Sequence, residues 1–456
     1  MVRRMRIIPL LLAASVLPAA ELISGGAGGG FSAGTSLLRG ISDDASVVIF
    51  ESDGAHDSGL IFPPEKGIYL RDRLTYRTRL LAPYEDRGVG SAQGSLSGDG
   101  RAVAYVAWNL PPEPDVDQVR VRTIASGVDV IVSTNVFGIP GSAASREPAL
   151  SGDARYVAFV SDADDLTADG LPGVLVGDVF VKDRITNATT CVSLSKTGQA
   201  DTGACARPAI SRNGRVVAFH SESTSLIPAP VGAVGGVYAR DLVAGTTVRV
   251  DVSTAGVPAA SPAYDLYPPA ISADGRFVAF ASSATNLVPD DTDARIDVFV
   301  RDLRDRVTTR ISVAAAGAAA DDHSLEPSLS LDGRYVAFRS YATNLIATDT
   351  NRACDVFVRD RVDATTIRVD FGLDGVQADA DAWPGTRICG LGFAVAYTSM
   401  ASNLVGGSDR NGRPDVYLNA NDPRFAASSA FRLYVRTLIA WVQARLPVLR
   451  VPRANG

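Results

Sequence analysis

The chain has 456 residues, of which 46% are hydrophobic and 21% are charged, and its formal net charge is −6. This composition is typical of a globular protein with enough apolar material for a large core. The mildly acidic balance argues against a nucleic-acid binder, which needs clustered positive charge to offset phosphates.

The first residues have the composition of a secretory leader. Three arginines within the first six residues precede an apolar run from Ile7 to about Ala20. A basic start, an apolar run and small residues are features of a signal peptide, and the run is short for crossing a bilayer. We predict a signal peptide over residues 1–25 and a periplasmic or secreted protein; a retained membrane anchor is the alternative.

One string of about ten residues recurs seven times, at intervals of 54 to 61 residues. The copies are ISDDASVVIF from Ile41, LSGDGRAVAY from Leu96, LSGDARYVAF from Leu150, ISRNGRVVAF from Ile210, ISADGRFVAF from Ile271, LSLDGRYVAF from Leu329 and ICGLGFAVAY from Ile388. Self-similarity at a regular period indicates a repeat architecture.

Each unit is predicted to contain four β-strands. A short run leads into Asp-Gly, a strong hairpin signal because both central residues of such a turn favour positive φ. RYVAFRS, DVFVRD and TTIRVD have the composition of the second, third and fourth strands. Radial blades avoid long exposed edges. We therefore predict an all-β fold, a β-propeller of about seven four-stranded blades over residues 31–425, with six blades as the alternative.

Closure of the ring is left open by the sequence, because the seventh unit has no obvious fourth strand. Two segments are candidates for that strand: FRLYVR from Phe431, or residues near Phe31 to Leu38 at the other end of the chain.

The strings LSLDGRYVAF, ISADGRFVAF and LSGDARYVAF, each followed by DVFVRD or DVFVKD, resemble the TolB-type and WD-like propeller repeats of bacterial exported proteins. The resemblance covers most of the chain and implies the fold. It implies little about function, because propellers host many activities. The chain differs from the TolB protein in its longer units, their number and the lack of a recognisable additional α/β domain.

Loop length differs between the two predicted faces. The first-to-second and third-to-fourth connections are short, whereas the second-to-third and blade-to-blade connections are long. Binding residues concentrate on loops held by a rigid scaffold, so this long-loop face is the predicted binding surface, opposite a short-loop face. Its acidic residues are Asp290, Asp291, Asp293, Asp321, Asp322, Asp349, Asp379, Asp381 and Asp409.

Three of these loops share a spacing of carboxylate and amide side chains. The residues are Asp291, Asp293 and Asp297, then Asp349, Asn351 and Asp355, then Asp409, Asn411 and Asp415. Alternate oxygens from one turn suit Ca²⁺, so these nine residues are candidate calcium ligands, although no Glu follows at a fixed offset. The alternative is that Asp297, Asp355 and Asp415 bind backbone amides where the third strand begins. No cofactor is required, and calcium is the one cation that the pattern suggests.

The four cysteines give a second set of candidate sites. An even count in an exported chain indicates disulfides, and the predicted pairs are Cys191 with Cys205 and Cys354 with Cys389. Four buried thiols are the alternative, because Cys packs well as a small hydrophobe.

Signals for catalysis are weak, and we predict no catalytic residue. A G-x-S-x-G string at residues 30–34 lacks the strand and helix of a nucleophile elbow. The histidines His56, His220 and His323 lie in different blades, and only His323 is placed on the long-loop face.

The sequence therefore predicts a non-enzymatic, monomeric, exported propeller that binds a protein partner, or a glycan, through its acidic long-loop face. The alternative is a secreted carbohydrate-active or hydrolytic enzyme that uses carboxylates at the channel mouth.

The tail, residues 426–456, changes character. Its apolar residues predict an amphipathic helix from about 428 to 446. Nearby arginines and Trp441 suggest a peripheral membrane contact, with packing against the propeller as the alternative.

Overall fold

The computed structural model describes residues 20–25, 34–54, 66–83, 93–108, 116–167, 177–195, 203–223, 225–228, 235–261, 267–372, 375–406, 409 and 411–420. These ranges form 28 β-strands in seven four-stranded sheets and contain no α-helix. Accordingly, no helix in this part of the chain is long and apolar enough to cross a membrane. The predicted seven-bladed, all-β propeller is confirmed.

Each of the first six blades uses four consecutive strands. Blade 1 is β2 (Ser36–Ile41), β3 (Val47–Ser52), β4 (Gly67–Asp72) and β5 (Arg77–Pro83); blade 2 is β6 (Gly94–Leu96), β7 (Ala102–Trp108), β8 (Asp117–Thr123) and β9 (Asp129–Ile131). Blade 3 is β10 (Ser145–Leu150), β11 (Tyr156–Ser161), β12 (Asp178–Asp183) and β13 (Thr189–Cys191); blade 4 is β14 (Cys205–Ile210), β15 (Val216–Ser221), β16 (Gly236–Asp241) and β17 (Thr246–Arg249). Blade 5 is β18 (Ala270–Ile271), β19 (Phe277–Ser282), β20 (Asp297–Asp302) and β21 (Val307–Arg310); blade 6 is β22 (Ser324–Leu329), β23 (Tyr335–Ser340), β24 (Asp355–Asp360) and β25 (Thr365–Arg368).

The seventh blade closes the ring with a strand from the beginning of the chain. It contains β26 (Ala382–Ile388), β27 (Ala394–Ser399) and β28 (Asp415–Ala420), and β1 (Glu21–Leu22) pairs antiparallel with β28 as its outer strand. Closure from this end was one of the two predicted alternatives, but the segment lies before residues 31–38. The predicted leader boundary at residue 25 therefore falls inside the closing segment. Residues 1–19 and the predicted helix at 428–446 lie outside the described residues.

The recurring Ser-x-Asp-Gly string forms the turn between the first and second strands. In blade 2, the Ser97 hydroxyl donates to Asp99 at 2.7 Å and accepts the Ala102 amide at 2.9 Å, while Asp99 accepts the Arg101 amide at 3.0 Å. Only Gly100 has positive φ, at 69°. The prediction that both central residues have positive φ is wrong, because these side chains stabilise a longer turn.

The core is divided among the blade interfaces. Seven clusters of buried apolar side chains each join two adjacent blades. Within six of the blades, an aromatic ring of the second strand stacks on one of the third, as Phe338 does on Phe357 with centroids 5.9 Å apart. Every repeat therefore buries the same faces, which explains why the strings recur.

A ring of main-chain hydrogen bonds surrounds the axis at the short-loop end. The turn between the first and second strands of each blade donates one backbone hydrogen bond to the same turn of the next blade. The donor is the residue at position x of Ser-x-Asp-Gly or the residue after it, and the acceptor is the carbonyl of a residue at position x. The seven bonds are Asp43 N to Gly98 O, Asp99 N to Gly152 O, Gly152 N to Arg212 O, Asn213 N to Ala273 O, Ala273 N to Leu331 O, Leu331 N to Gly390 O and Leu391 N to Asp43 O, at 2.8–3.2 Å.

Candidate functional site

The aspartates that begin the third strands hold those strands in place. Asp297 accepts the Ser312 hydroxyl at 2.5 Å, and that hydroxyl accepts the Val298 amide at 3.1 Å. Blades 3 and 7 repeat this arrangement with Asp178 and Ser193 and with Asp415 and Ser24. The aspartate thus acts on the backbone through a serine, whereas the sequence predicted direct binding of amides.

In blade 5, a buried arginine lies among the predicted calcium ligands. Arg310 Nη1 lies 3.4 Å from Asp297 Oδ2 and 3.8 Å from Asp291 Oδ1, and Nη2 lies 2.6 Å from Asp290 Oδ2. Burial raises the pKa of Asp291. Asp293 is exposed and caps the Arg295 amide at 2.9 Å.

Blade 6 has the same arrangement with Arg368, whose side chain is fully buried. Its guanidinium lies 2.6 Å from Asp355, 2.8 Å from Asp370 and 3.3 Å from Asp349. Asn351 Nδ2 donates to Asp355 at 3.0 Å. One positive charge among three buried carboxylates leaves negative charge in excess, and burial together with Asp370 raises the pKa of Asp355.

In blade 7, amide and hydroxyl donors bind the carboxylates instead of an arginine. Asp415 accepts the Ser24 hydroxyl at 2.6 Å and Asn411 Nδ2 at 2.9 Å, and Asp409 accepts the Asn411 amide at 3.1 Å. Burial raises the pKa of Asp415 to about 7.

Protein donors bind part of each group: an arginine in blades 5 and 6, and amide and hydroxyl groups in blade 7. Both side-chain oxygens of Asp291 and one of Asp355 are buried and have no hydrogen-bond partner in the described part of the chain, so calcium binding stays a prediction. Across the described ranges, no cluster of three or more His, Cys, Asp or Glu side chains is arranged to hold a metal ion.

The four cysteines are free, buried thiols, so neither predicted disulfide is formed. Cys205 donates to Ser221 Oγ at 3.2 Å, Cys191 lies 3.7 Å from Ser193 Oγ, and Arg339 donates to Cys354 at 3.6 Å. Burial raises the pKa of each thiol, to about 12 for Cys191, Cys205 and Cys354 and about 11 for Cys389. Thiols of high pKa are poor nucleophiles, so none of them is a catalytic candidate.

The remaining predicted acidic residues on the long-loop face bind neighbouring loops. Asp321 accepts the Thr343 amide and hydroxyl at 2.7 and 2.8 Å, and Asp379 accepts the same groups of Ser402 at 2.7 and 2.6 Å. His323 Nδ1 accepts the Ile296 amide at 2.9 Å. These side chains stabilise turns, as Asp commonly does. Residues 30–33 of the G-x-S-x-G string and His56 lie outside the described residues.

The sequence analysis missed three charged residues on the inner strands. Glu147, Arg207 and Glu326 occupy equivalent positions, each before a proline, with φ of 55°, 56° and 54°. Each inner strand has a bulge at this point. Positive φ is rare for such residues, especially before proline. A Glu-Pro or Arg-Pro pair recurs in these strands, with its proline three residues before the motif serine. This repeat could have identified the three residues from the sequence.

Glu326 belongs to a network that joins three blades at the long-loop end of the channel. Arg339 Nε donates to Glu326 at 2.9 Å, Nη1 to the Ala382 carbonyl at 3.0 Å and Nη2 to the Tyr267 hydroxyl at 2.8 Å. Burial disfavours the charged form of Arg339, but Glu326 outweighs this and raises its pKa. Arg339 of blade 6 thus joins Tyr267, which precedes β18 of blade 5, to Ala382 of blade 7.

Two further side chains complete what we call the mouth cluster, which comprises Tyr267, Glu326, Arg339, Trp383 and Arg387. Arg387 Nη1 lies 3.3 Å from Glu326, and its side chain is 30% exposed. Trp383 follows Ala382 at the start of β26 and is 42% exposed. Trp383 and Arg387 lie four residues apart on β26. An exposed aromatic ring and an accessible guanidinium suit a ligand that has both an apolar face and a negative charge.

Comparison with known proteins supports the fold. The chain aligns with an oligogalacturonate lyase in complex with manganese at 15% identity, over 86% of this chain and 92% of the lyase, with a TM-score of 0.50. TolB from Acinetobacter baumannii aligns at 12% identity over 73% of this chain, with a TM-score of 0.39, and the chain spans 63% of that protein's length. The predicted TolB-like propeller fold is confirmed. An oligogalacturonate lyase from Vibrio parahaemolyticus also aligns, at 12% identity over 91% of this chain and 93% of that one, with a TM-score of 0.49.

The comparisons correct the predicted function. No family model and no curated protein matches the sequence. Because a propeller that aligns with most of this chain is a lyase, the fold gives no ground for inferring a non-enzymatic binding platform, and that prediction is wrong.

Proposed function

We propose that this protein is an exported enzyme that cleaves an acidic oligosaccharide by β-elimination at its mouth cluster. The observation that carries the proposal is Arg339, which donates to the Tyr267 hydroxyl and to Glu326. Glu326 also pairs with Arg387, and Trp383 is exposed on the same strand as Arg387. The basic and apolar start of the chain supports export.

The proposed chemistry assigns one role to each accessible side chain. Arg387 binds the uronate carboxylate, which makes the adjacent carbon more acidic, and Trp383 packs against the sugar ring. Deprotonated Tyr267 takes the proton from that carbon, and Arg339 stabilises the negative charge on its oxygen beforehand. A carbon–carbon double bond forms as the glycosidic C–O bond breaks, and the leaving oxygen takes the proton from the Tyr267 hydroxyl, which returns Tyr267 to its deprotonated form.

Elimination suits this site better than hydrolysis by a pair of carboxylates. Near the axis, Glu326 accepts bonds from Arg339 and the Gly385 amide, and Glu147 accepts the Arg207 amide at 2.6 Å. The aspartates whose pKa is raised are buried where the third strands begin. Neither group offers the facing acid and base that glycoside hydrolysis needs. The structural match to an oligogalacturonate lyase supports the same choice of substrate class.

The test is an assay of the purified protein against acidic glycans (polygalacturonate, alginate and a glucuronate polymer) and a neutral galactan, following the ultraviolet absorbance of the unsaturated product. We expect turnover of an acidic glycan only. Tyr267→Phe should lower kcat by about 10²-fold or more, because it removes proton transfer. Arg387→Gln should mainly raise KM, because it removes charge-assisted binding of the carboxylate.

Matched controls are Tyr76→Phe and Arg215→Gln, which alter side chains that are 62% and 50% exposed and lie in short-loop turns. Both should retain full activity. Absence of product from every acidic glycan, or full activity of Tyr267→Phe, would contradict the proposal.

A further inference from the structure

Two charged side chains meet across the short-loop end of the channel. Position x of Ser-x-Asp-Gly, whose main chain forms the axial ring, is occupied by Asp43, Gly98, Gly152, Arg212, Ala273, Leu331 and Gly390. Only two of these are charged, and they come from blades 1 and 4. Arg212 forms an ion pair with Asp43, so a bridge between nonadjacent blades spans the opening.

Three glycines of the same ring leave room for this bridge. A Cβ at Gly98 would overlap the Arg212 guanidinium, and one at Gly152 would lie 2.7 Å from Arg212 Cδ. A Cβ at Gly390 would overlap the Asp43 carboxylate. None of the three has positive φ, so space, rather than backbone conformation, accounts for the absence of a side chain. The ring is therefore shaped around the ion pair.

A cavity of about 190 Å³ lies along the axis above the bridge. This volume far exceeds the roughly 10–15 Å³ that one water needs. Its apolar wall comes mostly from the first residue of each motif: Ile41, Leu96, Ile210, Ile271, Leu329 and Ile388. Arg39 and Arg387 also line it, and Arg212 with Asp43 forms its floor. We call this space the axial cavity.

The charges that line the axial cavity are mostly positive. Three arginines and one carboxylate belong to the lining, while Glu51 and Glu326, which pair with Arg39 and Arg387, do not. Arg212 Nε–H is buried, and no acceptor in the described part of the chain takes it. Guanidinium groups that line a cavity and have unused N–H donors favour an oxyanion, which can accept those donors.

We propose that the axial cavity binds a small oxyanion, such as phosphate or a carboxylate, which displaces Asp43 from Arg212. Arg39 and Arg387 contact it from one side and Arg212 from the other. The inference goes beyond the proposed function, because Arg212 and Asp43 lie in the short-loop turns and anion binding requires no catalysis. Arg387 is the one residue that both proposals use.

The test is calorimetric titration of the folded protein with inorganic phosphate and, separately, with acetate, at constant ionic strength. We expect saturable binding. Arg212→Gln should weaken it about tenfold or more, because a charge-assisted donor is lost. Asp43→Asn should tighten it about tenfold, because the competing carboxylate is removed while the backbone bonds of residue 43 are kept.

The matched control is Arg215→Gln, which removes the same charge from an exposed short-loop arginine and should leave binding unchanged. Arg212→Lys, which keeps the charge, should bind more tightly than Arg212→Gln and replaces that variant if it fails to fold. The proposal is overturned if neither the wild type nor Asp43→Asn binds either anion, or if Arg212→Gln or Asp43→Asn binds as the wild type does. Because binding is measured directly, this result is independent of the glycan assay.

Discussion

At the scale of single residues, a repeated aspartate can belong to the scaffold even where its spacing resembles a metal site. Asp297 and Asp355 were identified from sequence, but their roles depend on Arg310 and Arg368, each thirteen residues further along. That offset repeats in blades 5 and 6, so the pairing was visible in the sequence. The offset did not show whether the arginine or a metal ion balances the carboxylates, because that depends on which side chains are buried together.

The buried carboxyl of Asp415 predicts a pH-dependent stability. Its folded-state pKa of about 7 lies above the ordinary value near 4. Its stabilising effect is therefore fully present below about pH 4 and is lost as the pH rises through about 7, at a cost of about 4 kcal/mol. Asp415→Asn should flatten the dependence of the melting temperature on pH between 5 and 8.

The control for this measurement is Asp293→Asn, at an exposed aspartate that caps one amide. It should leave the pH dependence as it is in the wild type. A wild-type melting temperature that does not change from pH 5 to pH 8 would contradict the assignment of a raised pKa to Asp415.

At the scale of one element, the turn of each blade is matched to the second strand of the blade before it. A Cβ at Gly333 would overlap the Phe277 ring, and one at Gly392 would lie 2.5 Å from Tyr335 Cδ2. Two turns have alanine at the glycine position. The preceding blades then carry alanine in place of the large residue: Ala102 packs in the same cluster as Ala154, and Ala394 in the same cluster as Ala45.

This match predicts a coupled pair of substitutions. Gly333→Ala should lower the free energy of unfolding by about 2–4 kcal/mol, from positive φ and overpacking together. In a Phe277→Ala background it should cost only about 1–2 kcal/mol, because the overlap is gone. Denaturant unfolding of the four proteins measures the coupling.

Gly317→Ala is the matched control, because Gly317 has φ of 87° and no neighbour within 4 Å of a Cβ. It should cost about 1–2 kcal/mol in either background. Equal costs of Gly333→Ala with and without Phe277 would rule out the steric match.

At the scale of the whole molecule, the repeat period predicted seven blades, but the closing strand had no sequence signal. β1 is two residues long, too short for any periodicity, and its fit depends on contacts with distant residues. Ile23 is fully buried, Ser24 binds Asp415, and Glu21 pairs with Arg73 of blade 1 at 2.7 Å. The mouth cluster was missed for a related reason, since its members come from three blades and only Glu326, in its recurring Glu-Pro pair, has a local pattern.

The closing segment predicts that a truncated protein can be complemented. Removing residues 1–25 should lower the melting temperature, because blade 7 loses its outer strand and the buried Ile23. A peptide spanning residues 20–26 should restore part of it by adding a strand to β28. Thermal unfolding with and without the peptide measures this.

A peptide with Ile23→Ala is the control and should restore less, because Ile23 packs in the cluster between blades 7 and 1. A truncated protein that melts at the wild-type temperature would show that β1 does not close the ring.

At the short-loop end, backbone atoms join neighbouring blades, and side chains at position x line the axis. Because the seven main-chain bonds use only backbone atoms, the side chains at position x are not needed to hold the blades together. The seven side chains at position x can therefore be changed independently in size and charge. Replacing Arg212 and Asp43 with glycine would remove the bridge between blades 1 and 4 while the backbone ring is kept.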